Sequence, residues 1–492
     1  MTSKIRSNEA KTLDDSLALD AHREKNTKVE NESNSSIENY QEPKSLSSLN
    51  DSSTTDMYLE GSNKGENETS SIESVHDRPE PKSLSVYDKF HFVFLTFVLL
   101  GVGNIMPFNM FITAQSYYVD FKLRDKNSNS DHRKHFLTYV GIAAEVPNLI
   151  FNAVNILFPF GSESFGTRII GSTVIEIIIF LLTIILAMID SSSWTNEFFY
   201  ITIASVVVLN MANGIYINSV FGLVTRLPMK YSMAVIFGTN VSGTLTSIIL
   251  IISIAASPNP RTAAIYYFIS AVVVLLACID SKLALQLSKF YRCYDKLSKT
   301  AAVVAEDKSE KPSLWQILRK TWPQCFNVFM VYFVTLTIFP AIYAEIKQVD
   351  DKFLVSKQYF TPVVCFLSVN FFSMLGSFLP NWLQWPGPKY LWIPVVIRIV
   401  MIPFFMFCNY NPHHRKLPVL INNDWVVVFM GAVFGLSHGH LSSLAFMYGP
   451  GYVSMEHSPI AGMLAAFFYV LGVNCGIVFT FFVCWLVEIE MK

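Results

Sequence analysis

Eleven apolar runs follow one another from Lys89 almost to the end of the chain. Each is long enough to cross the ~30 Å hydrocarbon core of a bilayer, which takes about 20 residues of α-helix. Inside a bilayer the backbone polar groups must be satisfied within the segment, and runs of this length are typical of helices. The sequence therefore predicts an all-α polytopic membrane protein with 11 transmembrane helices. We place the spans at 89–116, 136–159, 168–190, 197–222, 230–256, 262–284, 316–343, 357–380, 389–409, 424–448 and 460–487.

Charge is distributed unevenly along the chain. Of the 37 basic and 38 acidic side chains, 10 and 18 lie in residues 1–88, which leaves 27 and 20 for the apolar remainder. Soluble domains carry roughly 25% charged residues, so this remainder is far too poor in charge for an ordinary soluble enzyme. It also lacks the basic stripe that neutralises phosphates, so we expect no nucleic-acid partner.

The distribution of polar residues suggests four regions. Residues 1–88 are rich in Ser, Asn, Glu and Asp, which predicts a disordered acidic N-terminal tail. Spans one to six occupy 89–284, and spans seven to eleven occupy 316–492. Between them, 285–315 forms a linker with six Lys or Arg residues. By the positive-inside rule this linker is cytosolic. Six spans, an even number, separate it from the tail, so the tail lies on the cytosolic side too.

Motifs for chemistry are missing from the sequence. It contains no Gly-rich phosphate loop ending in Gly-Lys-Ser or Gly-Lys-Thr, and no HExxH or GxSxG pattern. His438 and His440 are two residues apart on a predicted helix, so their rings point to different faces and make a poor metal pair. We therefore predict no enzyme activity, no cofactor and no metal site.

Polar side chains within the spans are the candidate site residues, because a polar group in a bilayer must pair or face water. Amides, hydroxyls and aromatic faces together suit a neutral, flat, hydroxyl-rich ligand. The alternative is that these groups only hold helices together. The candidates are Asn104 and Asn109 in span one, Glu145, Asn148 and Asn152 in span two, Asn210, Asn213 and Asn218 in span four, the stripe Phe366, Asn370, Ser373 and Ser377 in span eight, and Arg398 in span nine.

Glu145 is the most unusual of these residues, since a carboxylate two positions before Pro147 interrupts an apolar run. It can serve proton coupling, balance the charge of a cationic substrate, or form a buried pair with Arg398 or a histidine. Glu176 lies in a run of isoleucines, which favours a packing or interfacial role.

Glycines recur at helical spacing in spans five, ten and eleven, for example Gly431, Gly435 and Gly439, and Gly472 and Gly476. Helices associate in lipid where small residues let their backbones approach. The pattern predicts close helix contacts along these faces.

Several longer motifs resemble the equilibrative nucleoside transporter family, in the same order and over about 88–490. They are GVGNIMPFNMFITA at 101–114, FGL at 221–223, LPMKY at 227–231, FPA at 339–341, YFTPVVCFLSVNFFSMLGS at 359–377, WPG at 385–387, SHGHL at 437–441 and AG at 461–462. The resemblance implies a major-facilitator-like bundle of six plus five helices with pseudo-symmetry. It also implies a central cavity that works by alternating access.

The resemblance also implies site positions. Cavity-lining positions are occupied by Ile105, Ile112, Phe339, Phe366, Asn370 and Val473. Other positions depart from what is usual in the family. Phe108 stands in place of Trp, Glu145 in place of Met, Ile217 in place of Gln, and Ser373 and Ser377 in place of Asp and Arg. With Asn109 and Asn148, these residues form our predicted substrate site.

We thus expect a facilitative carrier of nucleosides or nucleobases that works as a monomer in membrane lipid. The first alternative is an organic monoamine cation carrier, or a proton-coupled one, that uses Glu145. The second is a membrane protein that senses nucleosides without transporting them. The expected location is the plasma membrane, with an endolysosomal membrane as the alternative.

Overall fold

The structure is a computed structural model that describes residues 87–123, 132–133, 135–158, 164–256, 259–307, 313–412 and 415–488. The predicted disordered tail lies outside the described residues, except for residues 87 and 88.

Eleven apolar helices, named α1 to α11, follow the predicted spans, and a twelfth helix lies in the linker. The linker helix is Lys289–Asp307. The others are α1 Phe92–Thr113, α2 Phe136–Leu157, α3 Phe165–Met188, α4 Thr195–Val224, α5 Lys230–Ala256, α6 Pro260–Ala284, α7 Leu314–Ile338, α8 Lys357–Asn381, α9 Trp392–Met406, α10 Asp424–Tyr448 and α11 Ser458–Glu488.

Ten of the eleven have the length and hydropathy needed to cross a membrane within the described part of the chain. The exception is α9, which coincides with the predicted span 389–409. Its middle tightens into a 3-10 turn at Arg398–Val400, between two short α-helical pieces that each contain a proline. Proline removes a backbone hydrogen bond, which explains why this helix is short and irregular. The predicted all-α polytopic membrane fold is confirmed, with ten full-length spans and one shorter helix.

Side chains accept hydrogen bonds from free backbone N–H groups at the starts of some spans. The Asp88 carboxylate accepts hydrogen bonds from the backbone N–H groups of Val93 and Phe94, both at 3.0 Å. Ser313 and Gln316 form a capping box at the start of α7. Such contacts satisfy backbone donors that have no partner within the helix, so they set where each span begins.

The bundle consists of two similar halves. In the first half α1 packs against α5 and α2 against α4, and in the second half α7 packs against α11 and α8 against α10. The contact of α1 with α5 thus corresponds to that of α7 with α11, and the contact of α2 with α4 corresponds to that of α8 with α10. Of the other two helices of the first half, α3 packs against α4, and α6, which has no counterpart in the second half, packs against α1 and α3. This arrangement confirms the predicted pseudo-symmetric division into six and five helices.

The halves are joined along two contacts, which we call seams, and the same pseudo-symmetry relates one seam to the other. We call the contact of α2 with α11 the first seam and the contact of α8 with α5 the second seam. The halves also meet where α4 packs against α11 and α5 against α10. We call the end of the bundle where α6 ends and α7 begins the linker side.

The predicted glycine contacts are confirmed in the second half. A side chain at Gly472 would place its Cβ 2.5 Å from the Phe329 backbone oxygen, and one at Gly476 would come within 2.6 Å of the Phe333 oxygen. Real Cβ atoms essentially never approach so closely. These glycines therefore let α11 lie directly on the backbone of α7.

Candidate functional site

Glu145 lies on the first seam and bonds across it. The Asn474 side chain of α11 donates its amide to Glu145 Oε2 at 3.4 Å. Glu145 remains partly exposed, and the Tyr469 side chain interacts electrostatically with Glu145 and by a hydrogen bond with Asn104. A carboxylate of α2, an amide of α1, and an amide and a phenol of α11 thus come near one another where the two halves meet.

Arg398 does not pair with Glu145, contrary to one interpretation of the sequence. Its guanidinium is buried among four acceptors, and it lies over the ring of Phe434 at 5.2 Å. The guanidinium donates to Ser437 Oγ at 3.1 Å, the Val331 oxygen at 3.0 Å, Thr335 Oγ1 at 3.0 Å and the Phe434 oxygen at 3.4 Å. These bonds tie α9 to α7 and α10, so Arg398 holds the second half together.

The two histidines have different partners, as their spacing predicts. His438 Nδ1 lies 3.0 Å from Thr335 Oγ1, and its ring meets Tyr332 edge-on at 5.0 Å. His440 Nε2 lies 2.7 Å from the Trp385 backbone oxygen. Within the described residues, no group of three or more His, Cys, Asp or Glu side chains has metal-binding geometry.

Asn370 performs on the second seam the bridging role that Asn474 performs on the first. Its amide donates to Ser247 Oγ of α5 at 3.1 Å and to the Phe366 oxygen of its own helix at 3.0 Å. Its carbonyl oxygen lies directly against Gly243, where a Cβ would clash with it. Asn370 is therefore at once a candidate site residue and a tie between the halves.

Phe366 and Phe339 come together next to this seam. Their ring centroids are 5.7 Å apart with an interplanar angle of 72°, an edge-to-face arrangement that aromatic pairs prefer. Both rings are only partly buried, so part of their aromatic surface remains accessible.

The four candidates on α1 share one face of the helix. Ile105, Phe108, Asn109 and Ile112 are spaced like residues on successive turns. The first three are partly buried and Ile112 is 36% exposed, whereas most of the remaining α1 residues beyond Thr96 are buried. This face therefore keeps both apolar surface and one amide accessible.

Ser373 and Ser377 lie in the contact between α8 and α10. Ser373 Oγ donates to the Gly435 oxygen at 3.1 Å, and Ser377 Oγ donates to the Met374 oxygen at 2.8 Å. Both residues are almost fully buried. For these two the alternative interpretation, helix packing, fits the geometry better than substrate binding.

Ile217 and Val473 are also buried, and both belong to the largest apolar core cluster. Ile217 is 1% exposed and Val473 is 9% exposed. Val473 precedes Asn474 in α11 and so reaches the edge of the first seam. Ile217, on α4, packs in a core cluster that includes residues of both halves.

Asn148 belongs to a polar network within the first half. It donates to Asn213 Oδ1 at 3.2 Å, and Asn213 in turn donates to the Asn104 backbone oxygen at 2.7 Å and to Glu176 Oε1 at 3.4 Å. These four residues come from α1, α2, α3 and α4. Glu176 is fully buried here, which agrees with its predicted packing role.

A second amide network extends from α3 to the other half. Arg168 donates to Asn155 Oδ1 at 3.0 Å, and Asn155 donates to Asn218 Oδ1 at 2.8 Å. Asn218 donates to Asn152 at 2.9 Å and to the Met463 oxygen of α11 at 3.0 Å. This network lies on the linker side and ties the halves together there.

Two seam residues, Tyr469 and Asn474, were missed by the sequence-based selection. Asn474 is an amide in span eleven between Gly472 and Gly476, so the rule that selected the other asparagines would have found it. Tyr469 also meets the Tyr332 ring of α7 at 4.3 Å. Its importance depends on contacts between helices that only the fold reveals.

Comparison with known proteins identifies the family. A nucleoside transporter family model matches residues 203–485, more than half of the chain. The chain is 30% identical over 430 residues to equilibrative nucleoside transporter 3 of Rattus norvegicus, covering 81% of this chain and 90% of the relative. It is 31% identical over 448 residues to equilibrative nucleoside transporter 1 of the same species, covering 80% and 97%. The chain belongs to the nucleoside transporter family.

Among solved structures, the human organic anion transporter MFSD10 matches with a TM-score of 0.43 and 13% identity, over 81% of this chain and 94% of that one. Membership of the nucleoside transporter family agrees with the multi-pass membrane fold and makes the chain a transporter rather than an enzyme. The residues between its halves are accordingly candidates for binding a transported solute.

Proposed function

We propose that this protein carries nucleosides across a membrane down their concentration gradient by alternating access. The observation that carries the proposal is the set of partly buried amides and aromatic rings along the two seams, in a chain that matches nucleoside transporters over most of its length. Amides bond sugar hydroxyls, and aromatic rings stack on a base. Phe339, Phe366 and Asn370 supply these groups beside the second seam, and Phe108 and Asn109 supply them on the partly exposed face of α1.

Alternating access requires that the halves separate at one end while they meet at the other. In this structure they meet on the linker side. There the Phe221 ring of α4 stacks on Phe446 of α10 at 4.2 Å and 18°, and Asn218 reaches the Met463 oxygen. Opening toward the linker side would break the stack, while Asn370 and Asn474 stay near the pivot at the seams.

The direct test is uptake of radiolabelled uridine and adenosine into proteoliposomes that contain the purified chain. We expect saturable flux that runs in either direction with the gradient and is equal at pH 7.4 and pH 5.5. Specific binding without flux would instead support a nucleoside sensor. The absence of both binding and flux would refute the nucleoside proposal.

A second candidate function, transport of an organic monoamine cation, is favoured by one observation. Glu145 is partly exposed between the halves, and its hydrogen bond comes from an amide rather than from a cation. A carboxylate held this way keeps its charge available for an ammonium group or a proton. Glu145→Gln should then abolish cation uptake, while the control Glu176→Gln, a carboxylate within α3, leaves it intact.

The same variant separates the two candidates. If Glu145→Gln leaves nucleoside flux and its pH dependence unchanged and no cation flux exists, the carboxylate is not required for transport. We further propose that the carrier is a monomer in the plasma membrane. Size-exclusion light scattering and surface labelling of cells test these two points.

A further inference from the structure

The linker helix carries a basic stripe along one face. Lys289, Arg292, Lys296 and Lys299 are spaced by three, four and three residues, so they lie above one another on a helix. All four are exposed. The stripe extends over about 15 Å, because the rise is about 1.5 Å per residue. Phe290, on the opposite face, is buried.

The opposite face fixes the linker helix to the first half of the bundle. Phe290 lies 5.5 Å from the Tyr231 ring at the start of α5, and the Lys282 ammonium lies 5.6 Å from the Tyr291 ring. Arg226, between α4 and α5, forms an ion pair of 2.6 Å with Asp295. The helix is therefore held in one orientation, and the basic stripe faces outward.

The Asp295 carboxylate does not neutralise the stripe, because its charge is already paired with Arg226. Lys299 contacts its other oxygen at 2.7 Å. Burial alone would raise the pKa of Asp295, but the hydrogen bonds from Lys299 and Arg226 outweigh burial and hold that pKa below its ordinary value. In the described part of the chain, Lys289, Arg292 and Lys296 form no ion pair.

The stripe borders an open groove of 410 Å³, lined by Arg292, Lys296, Lys299 and Thr300 together with Asp295 and Val303. Like charges three or four residues apart on a helix repel one another. A bound anion with several oxygens would relieve this repulsion and accept hydrogen bonds from ammonium, guanidinium and hydroxyl donors.

The position of the stripe along the chain identifies the source of that anion. Lys289 follows the end of α6 by only five residues, and the 3-10 turn Leu285–Leu287 occupies most of that interval, so the stripe begins close to the end of the membrane-spanning helix. Headgroup layers extend roughly 5–7 Å beyond the hydrocarbon core. Exposed apolar residues flank the stripe, with Leu287 at 80% and Val303 at 61% exposure, as expected where the protein meets a membrane interface. We propose that the basic stripe of the linker helix binds phosphate-bearing headgroups of anionic lipids in the leaflet on the linker side.

The test uses the full chain, purified in mild detergent, with phosphatidylserine or phosphatidylcholine added and bound lipid counted by native mass spectrometry. The test variant replaces Lys289, Arg292 and Lys296 by Gln and leaves the Lys299–Asp295 pair intact. A basic residue near an anionic surface contributes about 1 kcal/mol, about fivefold in affinity. We therefore expect the three substitutions to weaken phosphatidylserine binding roughly 100-fold and to leave phosphatidylcholine binding unchanged.

The matched control replaces Lys347, Lys352 and Lys357 by Gln, an equal change of charge at the opposite end of the bundle. It should alter phosphatidylserine binding less than about twofold, since these residues lie away from the stripe. Equal loss in both variants would overturn the proposal, as would phosphatidylserine binding that survives the first variant. Complete displacement of phosphatidylserine by inorganic phosphate would also overturn it, because the ligand would then be a soluble anion.

Two further measurements keep the test valid if the first variant does not fold. In the unmodified protein, raising the salt concentration should release phosphatidylserine, because screening weakens exposed charges. A variant with Lys289 and Lys296 replaced by Arg should keep its phosphatidylserine binding, because it keeps the charge. Salt-independent binding, or loss in the Arg variant, would contradict an electrostatic headgroup site.

Discussion

Gly439 is the position where the contact between α8 and α10 is most sensitive to one added methyl group. A Cβ at Gly439 would collide with the Ser373 backbone oxygen and would lie 2.6 Å from the Ser377 backbone nitrogen. Ordinary van der Waals contact begins at 3.4 Å. The Ser377 nitrogen alone requires the helices to separate by about 0.8 Å, and the closer Ser373 oxygen requires more, because neither obstacle is a side chain that can rotate away.

The magnitude of the effect follows from this separation. A gap of 0.5–1 Å loses about a quarter to a half of the attraction between facing atoms, and overpacking of a close contact costs about 1–3 kcal/mol. Ala is the better helix former by roughly 0.5–1 kcal/mol, which offsets part of this cost. We therefore expect Gly439→Ala to destabilise the protein by about 1–2 kcal/mol.

The control is Gly171→Ala in α3. Gly171 is exposed, and no atom lies within 4 Å of a Cβ added there, so only the helix propensity changes. Thermal unfolding in one detergent, followed by a thiol-independent signal such as light scattering, should show a lower midpoint for Gly439→Ala and an equal or higher midpoint for Gly171→Ala. Equal stability of the two variants would refute the close-contact argument.

Three further predictions concern other parts of the molecule. Asp295→Asn should increase hydrogen exchange across 289–299, because it removes the charge that fixes the linker helix. In the unmodified protein the docking of the linker helix should be the same at pH 7.4 and 5.5. The pKa of Asp295 is lowered, so its carboxylate stabilises the docked helix until the pH falls below about 4. Faster exchange at pH 5.5, after correction for intrinsic rates, would contradict this. Arg398→Lys should destabilise the fold by about 1–3 kcal/mol, because an ammonium cannot reach all of the acceptors around the guanidinium, and an unchanged melting temperature would argue against that role. Phe339→Ala should raise the concentration for half-maximal nucleoside uptake about threefold to tenfold, since a ring contact contributes about 0.5–1.5 kcal/mol, whereas Phe339→Tyr should preserve uptake.

The sequence was sufficient for the fold because membrane spans and glycine contacts are local patterns. Apolar length located α1 to α11 but not the helix Lys289–Asp307, because that helix is polar and lies in the predicted linker loop. Glycine spacing located the faces on which α8 meets α10 and α7 meets α11. Only α9 differs in kind, since its prolines shorten a helix that hydropathy alone shows as a full span.

The candidate site was harder to predict, because polar residues within a bilayer serve two roles that look alike in sequence. Asn148 and Asn370 came from the same rule, yet the first bonds within its own half and the second bonds across a seam. Ser373 and Ser377 followed the resemblance to the family and turned out to pack α8 against α10. Which role a residue has depends on the helix it faces, and the helix pairing is not encoded locally.

Two sets of departures from the expected site pattern, Glu145 of α2 and the serines of α8, lie on helices that the pseudo-symmetry relates. Where the family usually has charges on α8, small serines allow Gly435 and Gly439 to bring α10 into backbone contact. Both serine side chains are buried in that contact, whereas Asn370 of the same helix bonds across the second seam. On the pseudo-symmetric seam, Glu145 is joined by Asn474 of α11. We therefore expect the selectivity of this carrier to depend more on Glu145 and Asn474 than on Ser373 and Ser377.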